Sequence, residues 1–119
     1  MFLGPDGNLE INEKSEEPQV LNFKGTIDSS NAYVLQDYLE KKIALGHLIL
    51  EINEVEIITS TGIGVLCEIN EEMNHPQRKM VLVNPAVRVR QILELSGFNR
   101  VFSVEDTLEK AIERVSKKS

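Results

Sequence analysis

An α/β fold with a mixed, mostly parallel sheet follows from three features of this 119-residue sequence. Apolar runs with strand character alternate with apolar stripes at helical spacing, the pattern of strand–helix–strand units. The first two strand-like runs are joined by too short a connection for a crossover, so they pair antiparallel. Each later run follows a helix-length segment, so those strands lie parallel with right-handed crossovers. The order is β-β-α-β-α-β-α-β-α in a single domain spanning residues 1–119, with its core from about residue 8 to 115. No internal repeat, low-complexity tract or linker interrupts it. Only residues 1–8 and the closing "SKKS" read as frayed.

Each element has its own signal. "PDGN" at 5–8 is turn chemistry, and Leu9 and Ile11 then fall on one side of a short first strand. "KSEEP" at 14–18 is a polar connection. "QVLNFKG" at 19–25 is the second strand, with Leu21 and Phe23 on one face. The first helix is expected over 28–46: Ala32, Leu35, Leu39 and Ile43 form its stripe, Asp28 is its natural cap, and Gly46 stops it. "HLILEIN" at 47–53 is an apolar third strand. The second helix is expected over 60–74, where Ile63, Leu66, Cys67, Asn70 and Met73 share a face and Val65 and Ile69 widen it, predicting deep burial. "KMVLVN" at 79–84 is the fourth strand. Asn84 is placed to cap a third helix with Pro85 at its first position, running to Ser96 and stopped by Gly97. "RVFSV" at 100–104 is a fifth strand. In the last helix, 106–115, Asp106 and Glu109 have capping-box spacing and Leu108, Ala111, Ile112 and Val115 form the stripe.

Composition excludes several functions. A net charge of −6 argues against a general nucleic-acid binder, which needs a basic stripe. There is no Trp and little aromatic content for stacking on bases. No apolar run approaches the roughly 18 residues of a membrane span. "MFLGPDGNLE" has neither the positive segment nor the apolar core of a secretory signal, and the lone Cys67 forms no internal disulfide, so the expected compartment is the cytoplasm. Cys67 reads as a small core hydrophobe. The two histidines lack metal-ligand spacing with each other and with Cys67, so no metal and no cofactor is expected. Arg88, Arg90 and Arg100 read as a solvated face, and "NEEMNHPQRK" as a polar loop.

In parallel sheets, chemistry collects beyond the carboxyl ends of the strands. Two such ends carry suitable groups: "GTIDSSN" at 25–31 and "EVEIITSTGIG" at 54–64. If those strands are neighbours, Asp28 and Ser60 share a rim. Ser60 lies where the chain enters a helix, whose unpaired N–H groups and positive dipole end stabilise an anion, a phosphate included. Thr59, Thr61, Gly62, Ile63 and Gly64 complete the corner, the glycines leaving room for another molecule's backbone and Ile63 adding apolar surface. The plainer alternative is that Ser60 or Thr61 simply caps the helix. A hydrolase using Ser60 would need a base. His47 begins the third strand, at the far end from Ser60, His75 follows the second helix, and there is no G-x-S-x-G elbow. No Lys follows the glycines, so the corner is not a P-loop.

Four segments, in order, resemble the anti-sigma factor antagonist family, whose module is the STAS domain. They are "GTID" at 25–28, "LILEINEVEIITSTGIGVL" at 48–66, "VLVNPAVRVRQILELSGFNRVF" at 81–102 and "DTLEKAI" at 106–112. The resemblance covers roughly residues 8 to 115. It implies a STAS fold and a partner that is both a serine kinase and an inhibitor of a sigma factor. The unphosphorylated antagonist would capture that partner; phosphorylation by it, with ATP bound on the partner, would release it; a phosphatase would reset the cycle. The family's phosphorylated serine falls on Ser60, with Thr61 as the alternative acceptor, and its loop aspartate on Asp28. Thr59 stands where the family usually carries Asp, and Glu51 where Asp is commoner. Members lacking parts of the motif act as unphosphorylated interaction modules, which is the second reading.

Overall fold

The structure, a computed structural model, describes residues 2–73 and 78–116. Six strands form one sheet in the order β1-β2-β3-β4-β5-β6. The strands are β1 (Phe2–Leu3), β2 (Leu9–Glu16), β3 (Gln19–Ile27), β4 (Leu48–Ile58), β5 (Met80–Val83) and β6 (Ser103–Glu105). The helices are α1 (Ala32–Ile43), α2 (Ser60–Glu72), α3 (Val87–Ser96) and α4 (Leu108–Ser116), with a single 3-10 turn at Phe98–Arg100. β1, β2 and β3 pair antiparallel, and β3 through β6 pair parallel. This is the mixed sheet the sequence predicts, with one strand more.

The sheet is covered unequally. Leu35 and Leu39 of α1, Leu66 and Ile69 of α2, and Val89 and Leu93 of α3 pack in one cluster with Phe23, Leu48, Leu50 and Leu82. α4 lies on the opposite face, its Ala111 and Val115 against Val20, Ile49, Val81 and Val83. The central strands are therefore apolar on both faces, as buried parallel strands must be. β2 instead alternates, burying Leu9 and Ile11 while Glu10 and Asn12 keep contact with solvent.

Several boundaries differ from expectation. Phe2–Leu3 is a strand: its backbone pairs with Glu10 and Ile11, and the Phe2 ring rests on Tyr38 at 4.7 Å. Polar residues 14–16 belong to β2, because beyond its short pairing with β1 this stretch is an open edge, held by its backbone ladder to β3 and tolerant of polar side chains on both sides. β4 runs five residues past Asn53. Its buried residues there, Ile52, Val55 and Ile58, fall every third position. Two register shifts against β3 account for this: β4 advances three residues where β3 advances two, then two where β3 advances one. Each extra residue is a bulge that turns the next apolar side chain back to the core.

The caps also differ. α1 starts at Ala32 with Asn31 at the cap position, so Asp28 is not its cap. Ala86 precedes α3; Asn84, at φ 50, gives its N–H to Glu105 O instead, so it is not a cap either. Thr107, rather than the Asp106–Glu109 pair, caps α4: its Oγ1 accepts from Lys110 N, while Asp106 pairs with Arg90 at 3.1 Å. The fifth expected strand shrinks to Ser103–Glu105, since Phe98–Arg100 forms the 3-10 turn. α2 holds through Glu72; the expectations at Asn74, His75, Pro76 and residues 117–119 lie outside the described residues.

Candidate functional site

β3 and β4 end side by side, with Ile27 opposite Ile58. The chains leaving them are tied together by Thr59 N–H donating to Ile27 O at 3.0 Å. The 28–31 loop and the 59–61 corner therefore share one rim.

The Asp28 loop is built by two local devices. The Asp28 carboxylate accepts from both the N–H and the hydroxyl of Ser30. Those bonds, the hydroxyl first, hold its carboxyl below the ordinary carboxylate range. Asn31, only 1 % exposed, clamps the loop from beneath: its amide donates to Thr26 O at 2.8 Å and its oxygen accepts from Asp28 N at 3.1 Å. Sequence reasoning passed over Asn31. The signal was the "DSSN" turn itself, in which an Asn side chain can bond the backbone on both sides.

At the second corner, the backbone of Thr59 is extended and α2 begins at Ser60. Thr59, not Ser60 or Thr61, is the cap: its Oγ1 accepts a long 3.5 Å bond from Gly62 N. The first helical N–H to reach a backbone carbonyl is that of Ile63, to Thr59 O at 2.9 Å. The amides of Ser60 and Thr61 precede it and have no intrahelical carbonyl to reach. Ser60 itself is exposed, and Thr61 partly so. The arrangement is a reachable hydroxyl at the positive end of a helix, with capping delegated to its neighbour.

Two of the expected docking residues are corrected. Ile63 is 4 % exposed and belongs to the core cluster, so it offers no apolar surface to a partner. Gly62 is buried as well. A Cβ there would lie 2.6 Å from Ile27 Cγ2 and 3.1 Å from Ile27 O, so its smallness serves packing against this chain's own β3. Gly64 is exposed with nothing within 4 Å of a built Cβ, and it is the glycine that leaves the surface open. The same rim carries exposed Glu54, Glu56 and Ile57, placed outward by the bulges of β4.

Other candidates fall elsewhere. His47 precedes β4, at the other end of that strand from Ser60, and its Nδ1 accepts from Lys79 N at 2.9 Å. Cys67 is half-buried against the core, and burial, then Glu71, pushes its thiol pKa up. Glu51 pairs with Lys14 at 2.7 Å. Among the described residues, no cluster of three metal-ligating side chains occurs, and no helix is long and apolar enough to cross a membrane.

This pair of strand-end loops on a four-helix, six-strand mixed sheet defines the class, and comparison with known proteins agrees. The STAS domain profile matches residues 10–111, and the chain belongs to that family. BtrV of Bordetella bronchiseptica, named as an anti-sigma factor antagonist, is 28% identical over 91 residues, covering 75% of this chain and 78% of BtrV. The crystal structure of an anti-sigma factor antagonist from Mycobacterium paratuberculosis superposes with a TM-score of 0.80 at 21% identity, over 98% of this chain and 100% of that one. The Bacillus cell fate determinant SpoIIAA in its phosphorylated form gives a TM-score of 0.62 at 20% identity, over 90% of this chain and 98% of that one.

Proposed function

We propose that this STAS protein is an anti-sigma factor antagonist switched by phosphorylation at Ser60. It binds an anti-sigma factor that is also a serine kinase, in the cytoplasm, and frees a sigma factor. The observation that carries this reading is the exposed Ser60 at the first position of α2, with its cap supplied by Thr59. Ser60 is a substrate hydroxyl and not a catalytic nucleophile of this chain's own, because the partner brings ATP, Mg²⁺ and any base. Asp28, on the adjacent strand end, belongs to the same docking rim, as do Thr59, Thr61 and Gly64.

The switch is electrostatic. Phosphorylation adds about −1.5 to −2 charges at a spot that a partner must desolvate. Burying that charge without a cation costs the complex several kcal/mol, and about 1.4 kcal/mol already weakens it tenfold. The free N–H groups of the first turn of α2 accommodate the phosphate in the released protein, so the fold need not change. A phosphatase then restores the hydroxyl.

Incubation with the cognate kinase and ATP, followed by mass-spectrometric mapping, tests this. Phosphate should appear on Ser60, Ser60→Ala should hold the kinase persistently, and Ser60→Asp should bind it at least tenfold more weakly. Thr59 favours a second reading, an interaction module that is never phosphorylated, because the corner lacks the acidic residue usual in the family. Absence of phosphate on both Ser60 and Thr61 would select it.

A further inference from the structure

Five of the six aromatic rings have a place in this fold. Phe23 lies in the core, Phe2 stacks on Tyr38, and Phe98 faces Phe102. Tyr33, in the first turn of α1, is the exception: it is 73 % exposed and makes no hydrogen bond or ring contact among the described residues. A large ring left in water is the kind of side chain that carries binding energy once a partner covers it.

Its position follows from how α1 and α2 pack. Each helix leaves a parallel strand at its carboxyl end, so the two run side by side in one direction. The Gln36 amide of α1 donates to the Glu68 carboxylate of α2, which fixes their relative height. Tyr33 precedes Gln36 by three residues and Gly64 precedes Glu68 by four, one turn in each helix, so both stand on the Ser60 side of that bond. Helical side chains lean toward the amino end, which carries the Tyr33 ring toward the Ser60 corner. No atom lies within 4 Å of a Cβ built on Gly64, so the space between ring and glycine is an open notch.

The notch falls under any enzyme that reaches Ser60. Along the helices, Ser60 is about 12 Å before Glu68 and Tyr33 about 4.5 Å before Gln36, a difference in height of about 7–8 Å. With about 8–10 Å between the helix axes, Tyr33 lies roughly 12 Å from Ser60. A standard interface covers about 800 Å² of one partner, a disc of roughly 16 Å radius. Centred on Ser60, that disc takes in Tyr33. Leu45, exposed past the far end of α1, is outside it.

We infer that Tyr33 is an affinity-determining anchor for the serine kinase, its ring and the Gly64 notch taking an apolar side chain of that enzyme. The inference rests on the reading of Ser60 as the kinase's substrate. It supplies the apolar contact that buried Ile63 does not offer. The ring and the glycine present no charge to desolvate, and Gln36 and Glu68, bonded to each other, close the inner end of the notch. Tyr33 touches neither Ser60 nor the groups around it, so it sets how tightly the kinase holds the chain and not how fast phosphate is transferred.

The test uses the kinase that phosphorylates Ser60. Tyr33→Ser should raise KM for phosphorylation about tenfold and leave kcat within twofold, the signature of lost uniform binding. In the Ser60→Ala background, where no phosphate is transferred, the same substitution should weaken the complex at least tenfold by calorimetry. Tyr33→Phe, which keeps the ring, should stay within twofold of the parent, as should Leu45→Ser, which removes an exposed apolar side chain outside the footprint. Tyr33 is exposed, so the urea midpoint of Tyr33→Ser should match the parent's. A kinase that phosphorylates Tyr33→Ser with the parent's KM would overturn the anchor and leave the switch standing; a fall in kcat at constant KM would do the same. Absence of any kinase that modifies Ser60 would overturn both.

Discussion

Two glycines two positions apart behave as opposites. Gly62 lies against Ile27 and Ile58, and a built Cβ there comes within 2.6 Å of a branched, buried side chain. Gly64 faces open space. Gly62→Ala should therefore destabilise the protein by about 1–2 kcal/mol, an overpacking cost of up to about 3 set against about 1 gained in helix propensity. Gly64→Ala should stabilise it by up to about 1 kcal/mol. Urea denaturation of the two variants checks the difference in sign; equal effects would mean that β3 does not press on α2. The sequence could name both glycines but not tell them apart, because what separates them is a contact with Ile27, 35 positions earlier in the chain. Ile63 carries two readings, a place on the buried stripe of α2 and a place on the docking surface, and at 4 % exposed it takes the first.

The helices were legible because a stripe such as Leu35, Leu39 and Ile43 is a local pattern. The carboxyl half of β4 was not, since bulges replace period two with period three and the apolar signal at Ile52, Val55 and Ile58 no longer reads as a strand. That unread segment supplies half of the candidate site. Caps were legible only as types, since several hydroxyls and carboxylates compete for each helix end and tertiary partners choose among them. For α2 the chosen cap is weak, at 3.5 Å from the Gly62 amide. Thr59→Asp places a full negative charge at the positive end of α2 and should raise stability by about 0.5 kcal/mol at neutral pH. The gain should vanish near pH 3, where the carboxyl is protonated. Parallel urea melts at the two pH values measure it, and a gain that persists in acid would assign the effect to shape rather than charge.

Across the whole molecule, parallel pairing joins groups that no local pattern connects. His47 Nδ1 accepts from the Lys79 amide 32 positions away, at the amino ends of β4 and β5, and its own carbonyl accepts from Gln19 at the start of β3. Burial, then the Lys79 charge, lowers the pKa of His47 below its ordinary 6.5. A protonated imidazole has no lone pair for the Lys79 N–H, so the bond exists only in the neutral form. With the folded pKa depressed, the stabilisation is complete above pH 6.5 and is lost as pH falls from there toward the folded value, where the unfolded chain binds the proton first. A second decline should follow in more acidic solution. There Glu13, held below its ordinary value of 4.5 by hydrogen bonds from Lys42 and then Tyr38, must give up its charge. Urea midpoints at pH 7.5, 5.5 and 3.5 should therefore fall in two steps. His47→Gln keeps an acceptor that does not titrate in this range, so the variant should lose much less between pH 7.5 and 5.5 while retaining the acid step. An unchanged first step in the variant would place its origin away from the β4–β5 junction.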